Sequence, residues 1–247
     1  MEVYAGMVEN LDYHLGRVVQ FLRDIGEYDN TIIIFFSDNG SNPWVSEDYP
    51  GNREGDYLNQ FDNRLDNIGH RTSHSAYGIG WAQAGSGPLD LFKMAVGEGG
   101  IRSPLIVTGP GVEGVGRTVR SFAYVTDLMP TMLELADLRH PERFGGRDVL
   151  PMRGHSMVGL LKGKAESIYS ADEYVGGEMF GGRWLRTGDH KAILVANPYG
   201  SGEWQLYNVV KDPGETHDLA KEQPDLLEEL QHAWDQYADE VGVLVPD

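Results

Sequence analysis

Thr31-Ile-Ile-Ile-Phe-Phe36, followed at once by Ser37-Asp38-Asn39-Gly40, is the stretch on which the fold turns. A run of β-branched and aromatic residues without polar alternation fits a strand covered on both faces, as in a parallel sheet. Upstream, Val3, Met7, Val8, Leu11, Leu15, Val18, Val19 and Leu22 recur at helical spacing while Glu2, Glu9, Asp12 and Arg17 take the other side, which predicts a helix over Val3 to Ile25. Gly26 supplies its stop and Asp29-Asn30 the connection into the strand. A helix feeding a buried strand is an α/β arrangement, and open α/β sheets bind ligands beyond the carboxyl ends of their strands. The polar run Ser37 to Gly40 is therefore the first place to look for function.

Working downstream, residues 41–90 are rich in Gly, Asn, Asp and Ser, yet Trp44, Tyr49, Tyr57, Phe61, Tyr77 and Trp81 argue that this long connection is ordered. Leu91 to Val96 reads as a short strand, then comes Glu98-Gly-Gly-Ile-Arg102, and then the strand Leu105 to Thr108 closed by Gly109-Pro-Gly. Thr126-Asp127 marks the start of a helix carrying Leu128, Met132, Leu133, Leu135 and Ala136, with Pro130 tolerated in its first turn. Past residues 163–170 the pattern changes to short strands at Trp184 to Arg186, Lys191 to Val195 and Gln205 to Tyr207, then a final helix from about Pro224 to Glu240. This predicts an α/β domain over residues 1–165 and a small antiparallel sheet packed with one helix over 166–247.

The 247 residues are enough for one large domain or two smaller ones, and 40% hydrophobic with 23% charged residues matches an ordinary globular chain. Lys plus Arg total 20 against 38 Asp plus Glu, a net charge of −18 that repels nucleic acid and anionic membranes. An anionic substrate must then be drawn in by a local cation, so single lysines and arginines in Gly-rich loops matter. With no cysteine, disulfides and thiolate sites are excluded within this chain. The longest apolar run, Ile32 to Phe36, falls far short of the roughly 20 residues that span a bilayer. The first residues read as the middle of an amphipathic helix, with no signal-peptide pattern.

Asp38 and Asn39 offer adjacent hard oxygens suited to calcium or magnesium, although Asp-Asn-Gly is also a common turn and calcium takes roughly six oxygens. Lys93 precedes a Gly-rich segment and is a compact charge for an anionic oxygen; the plainer alternative is a surface lysine. Arg102 is expected to pair with an acid such as Glu98 or to hold the loop. Of the eight histidines, His70 and His74 alone have chelating i, i+4 spacing, but Gly69, Gly78 and Gly80 argue against a helix there. Tyr77 and Trp81 read as local core before an aryl-binding wall, and His190 as a turn residue between strands.

With these residues placed, the chain resembles the type I sulfatases, the arylsulfatase group of the alkaline-phosphatase-like superfamily, and in particular the carboxyl-terminal half of a bacterial arylsulfatase. The resemblance rests on Tyr4-Ala-Gly-Met-Val-Glu-Asn-Leu-Asp12, Thr31 to Gly40, Glu98-Gly-Gly-Ile-Arg102-Ser-Pro104, Val125-Thr-Asp127-Leu-Met-Pro-Thr131, Trp204-Gln-Leu-Tyr207 and Asp212-Pro-Gly-Glu215. It implies a mixed sheet flanked by helices, with Asp38 and Asn39 as half of a calcium site and Lys93 as the sulfate-binding lysine. It also implies a formylglycine, made from Cys or Ser, whose hydrate attacks sulfur while calcium and basic residues stabilise the sulfuryl oxygens.

The family's nucleophile motif, Cys or Ser followed by x-Pro-x-Arg, is absent from this sequence, as are its paired amino-terminal aspartates. The resemblance therefore implies a distal half-enzyme, inactive and aggregation-prone alone, whose missing amino-terminal half is the expected partner and whose substrate is a small-molecule sulfate ester. Two alternatives stand beside it: a phosphonate or phosphate ester hydrolase of the same superfamily, and a non-catalytic half-protein that pairs with another chain. The compartment, cytoplasmic or periplasmic in a bacterium, stays open.

Overall fold

A computed structural model describes residues 1–52 and 56–244. Along them run α1 (Glu2–Asp24), β1 (Ile33–Phe36), α2 (Ile79–Ser86), α3 (Glu98–Ile101), β2 (Leu105–Thr108), α4 (Leu128–Leu135), β3 (Arg143–Phe144), β4 (Arg147–Asp148), α5 (Val158–Leu161), β5 (Tyr174–Met179), β6 (Gly182–Thr187), β7 (His190–Leu194), β8 (Trp204–Asn208) and α6 (Pro224–Val241). They form two compact units, one of Met1–Phe21, Phe36–Leu105 and Tyr174–Asp247, the other of Leu22–Phe35 and Ile106–Glu173. No described helix is long and apolar enough to cross a membrane.

In the first unit β5, β6, β7 and β8 make an antiparallel sheet of sequential hairpins. Its register sets Leu185 opposite Ala192 and Ala192 opposite Leu206, and these three meet Leu230, Ala233 and Trp234 of α6 in a closed core. Burying each large side chain there contributes about 1.5–3 kcal/mol. Pro224 in the first turn of α6 and Gly242 in the left-handed conformation at its end fix where the helix starts and stops. The Trp234 indole donates to the Gly177 carbonyl (3.3 Å), and the Arg183 guanidinium lies 4.8 Å over the Trp234 ring. Because strand residues alternate, Lys191 and Ile193 face away from α6; both are nonetheless buried.

In the second unit β2 pairs with β1. A Cβ on Gly109, just past β2, would lie 2.5 Å from the Thr31 carbonyl oxygen, so that close approach demands glycine. Asp127 is fully buried at the start of α4. Its carboxylate accepts from Tyr124 N (2.6 Å), His155 N (2.9 Å) and the Tyr169 hydroxyl (2.6 Å), which ties the helix start to the 155–169 segment. Burial and the neighbouring Asp127 carboxylate push the Tyr169 phenol well above its usual range.

Four expectations need correcting. Leu91 to Val96 is not a strand: the segment turns, with Leu91 (φ 63°) and Met94 (φ 79°) in the left-handed region, where a strand cannot continue. The apolar run of β1 is only half-buried and Phe36 is exposed, because β2 is its one strand neighbour among the described residues. His190 opens β7, and the turn preceding it is made by Gly188 and Asp189. Finally, the small sheet has a fourth strand, β5, ahead of the three expected: Gly176 and Gly177 interrupt its apolar pattern, and both stand against Trp184 and Leu185 of β6, where a Cβ would collide.

Candidate functional site

Beyond β1 the chain stays alongside residues 100–104: Ser37 N donates to Pro104 O (3.3 Å) and Gly40 N to Gly100 O (2.9 Å). The Asp38–Asn39 corner is thus held by backbone on both sides. Ser37 Oγ donates to Asn39 O (2.9 Å), and Asn39 Nδ2 donates to Gly40 O (2.9 Å). With its amide nitrogen occupied, Asn39 has Oδ1 left to accept. The Asp38 carboxylate is exposed. Two hard oxygens on a fixed corner match part of a calcium shell, and they are only part of one: among the described residues no group of three or more His, Cys, Asp or Glu converges on a metal position.

Lys93 joins this corner through the backbone, its N–H donating to Ser41 O (3.0 Å) two residues past Asn39. It sits between Leu91 and Met94, both non-glycine residues at positive φ. Such conformations cost of order 1–3 kcal/mol each and persist only where the surroundings over-determine them. The surroundings do so here by close glycine packing. A Cβ on Gly40 would fall 1.8 Å from Gly99 O, one on Gly99 2.2 Å from Leu91 O, and one on Gly100 2.1 Å from Ala95 O. Further support comes from Trp44, whose Nε1 donates to the Met94 sulfur (2.9 Å), and from the hydrogen bond between the Tyr77 and Ser41 side chains.

The structure thus brings Asp38, Asn39 and Lys93 onto one glycine-packed frame. It does not bring His70 and His74 together as a chelate. The segment is not helical, and His74 packs on Tyr57 and Phe61 with its Nδ1 3.4 Å from Ser46 Oγ. Trp81 departs from the core reading, being 53% exposed, whereas Tyr77 packs against Tyr4. Arg102 pairs with Glu98 at 3.6 Å, as expected.

Sequence reasoning missed a buried ionic cluster behind this frame. Lys191, 1% exposed, donates to Glu98 Oε1 (3.0 Å) and Glu215 Oε1 (2.9 Å), and Glu215 Oε2 accepts from Glu98 N (2.7 Å). Burial raises the Glu215 carboxyl above its usual range against the opposing pull of the Lys191 ammonium. The available signal was a lysine inside the otherwise apolar run Lys191 to Val195, which sequence alone does not separate from a surface position.

The sulfatase family profile matches residues 1–138. The chain belongs to the sulfatase family. A second profile, N-sulphoglucosamine sulphohydrolase, C-terminal, matches residues 91–239. An uncharacterized sulfatase of Schizosaccharomyces pombe is 42% identical across the whole chain, which covers 45% of that protein. The arylsulfatase of Klebsiella aerogenes is 33% identical over 68% of the chain and 36% of its own length. Among solved structures, Ps i-CgsB in complex with k-i-k-neocarrahexaose superposes with a TM-score of 0.64 at 24% identity, over 95% of this chain and 42% of that one, which establishes the shared α/β fold. This sulfatase chain spans less than half the length of the curated relatives it matches.

Proposed function

We propose that this sulfatase chain forms the distal part of an enzyme that hydrolyses small-molecule sulfate esters, with Lys93 binding the sulfate group and Asp38 and Asn39 supplying part of a calcium shell. The observation that carries this is the frame itself: the carboxylate–amide corner and the lysine are tied to one another by the Lys93 N to Ser41 O bond, in a protein whose net charge of −18 leaves anion binding to local cations. Asp38 and the Asn39 Oδ1 would hold the ion, which when bound withdraws charge from sulfuryl oxygens. The Lys93 ammonium places a second positive charge against them, without a proton transfer, and its backbone keeps that charge near the corner.

The nucleophile, a formylglycine in this reading, lies outside the chain, so the 247 residues alone are inactive until a segment carrying it is supplied. Hydrolysis of nitrophenyl sulfate tests this. None is expected from the isolated chain, and activity is expected once it is combined with the amino-terminal part of a sulfatase; robust turnover by the chain alone would defeat the proposal. In the combined enzyme, Lys93→Ala should lower turnover by about 10²–10³-fold, the usual loss for one preorganised stabilising group. Faster cleavage of aryl phosphonate than of aryl sulfate would replace the sulfate reading with the phosphonate one.

A further inference from the structure

Behind the Lys93 segment, three charged groups to which the proposed function gives no role are buried together. Lys191 comes from β7, Glu98 opens α3, and Glu215 follows the turn Asp212-Pro-Gly214, itself at a left-handed φ of 51°. A buried lysine engaging two carboxylates is expensive to desolvate, and apolar residues of like volume serve stability as well or better. Something beyond stability has to account for its position.

Its connections supply the account. Two bonds fix Glu98, one from Lys191 to its carboxylate (3.0 Å) and one from its backbone N–H to Glu215 (2.7 Å), and a third, from Lys191 to Glu215 (2.9 Å), ties the two holders together. From Glu98 the next two residues reach both halves of the candidate site. Gly99 N donates to Asp90 O (2.7 Å) beside the Lys93 segment, and Gly100 O accepts from Gly40 N (2.9 Å) beside Asp38 and Asn39. The Glu215 turn also closes on the start of this path, since a Cβ on Gly97 would sit 3.3 Å from Glu215 Oε2. Arg186, directly opposite Lys191 across the β6–β7 ladder, and Arg102, 3.6 Å from Glu98, complete the charged surroundings.

We propose that Lys191, Glu98 and Glu215 form a buried latch by which the carboxyl-terminal sheet positions the Lys93 segment against the Asp38–Asn39 corner. The three are positioning residues, acting through the backbone of residues 97–100. Calling the frame a site rests on the function proposed above; the latch itself is read without metal, substrate or turnover.

Amide hydrogen exchange on the purified 247-residue chain tests it, with Gly40 and Lys93 as reporters of the frame and Leu219 and the interior of α6 as references. In Lys191→Met the reporter amides should exchange at least tenfold faster while the references keep their protection. Glu215→Gln leaves one acceptor oxygen where the carboxylate presents one to Lys191 and the other to Glu98 N, so it breaks one of the two bonds and its reporter amides should exchange at rates between those of the parent and of Lys191→Met. The triple variant Lys191→Met, Glu98→Gln, Glu215→Gln removes every charge of the latch and remains usable if the single lysine variant fails to fold. Faster reporter exchange in the triple variant, with reference protection and urea midpoint at parental values, would support the latch. Reporter protection that is parental in the triple variant, or that falls only in step with the references, would overturn it. If the latch behaves as stated and Lys93→Ala leaves turnover unchanged in the combined enzyme, the functional reading fails and the latch stands.

Discussion

Two amphipathic helices near the ends of this chain have opposite fates. Helix α6 puts Leu230, Ala233 and Trp234 into a closed core against the four-stranded sheet, with Leu226, Leu227 and Tyr237 packed at its edges. Helix α1 is longer, carries an equally regular apolar stripe, and has no buried residue; Val3, Met7, Val8, Leu11, Val18 and Phe21 are all exposed. The difference teaches that an apolar stripe specifies a helix with one side to cover and says nothing about what covers it. For α6 the cover is β5 to β8, brought back by three hairpins. For α1 the described residues supply no such cover, and its apolar side stays exposed.

The contrast predicts the largest effects of substitution. Trp234→Ala should lower unfolding free energy by about 3–5 kcal/mol, since it opens a cavity and removes the indole bond to Gly177. Leu11→Ala in α1 should stay within about 0.5 kcal/mol. Urea titrations of both variants decide it, and a large loss at Leu11 would show that α1 is covered in solution. If the amino-terminal part is then added, Leu11→Ala should begin to weaken the assembly, which would sharpen the comparison into a measured interface.

A smaller effect is expected at the frame. Gly100→Ala places a Cβ 2.1 Å from the Ala95 carbonyl oxygen and 2.5 Å from that of Phe92, so backbone must shift. Overpacking of this kind costs about 1–3 kcal/mol. Gly16→Ala, in α1 with nothing within 4 Å of its Cβ, should instead stabilise by up to about 1 kcal/mol through helix propensity. Thermal unfolding of the two alanine variants, expected to move in opposite directions, checks this.

The smallest effect is one of pH, set by two carboxyls three residues apart. Glu215 has a raised folded pKa, so its contribution to stability is fully present below the ordinary glutamate value of about 4.3 and is lost as pH rises through the folded value. Asp212 has a lowered one. Desolvation opposes the shift, but bonds from His217 N and from Thr216 N and Oγ1 outweigh it. Its contribution is present above the ordinary aspartate value of about 3.9 and lost as pH falls through the folded value. Stability curves against pH for Glu215→Gln and Asp212→Asn should therefore depart from the parent with opposite slopes. Departures of the same sign would show that the buried cluster is not desolvated as described.

Much of this was legible in advance. Periodicity placed α1 and α6 within a residue or two, and the Thr31 to Phe36 run gave β1 with its polar corner at the carboxyl end. The frame of the candidate site was legible as motifs, since Ser37 to Gly40 and Glu98 to Arg102 stand out for chemistry and for glycine. That these motifs touch, and that Gly40 is glycine because Gly99 O lies where its Cβ would be, was not legible. The apolar neighbours of Lys93 suggest a strand, and only the positive φ values of Leu91 and Met94 show the turn.

The sequence by itself determined α1, α4 and α6, the strand-to-corner unit and the family, because each rests on short-range pattern or on an ordered set of motifs, whereas the short helices α2, α3 and α5 carry no such pattern. The tertiary structure alone decided which apolar face is covered and that Lys191 is buried between Glu98 and Glu215, partners 93 and 24 residues away. The reason is physical: helix and strand periods follow from the geometry of a few consecutive residues, whereas burial and ion pairing depend on which distant segments are brought together, and no local pattern records that.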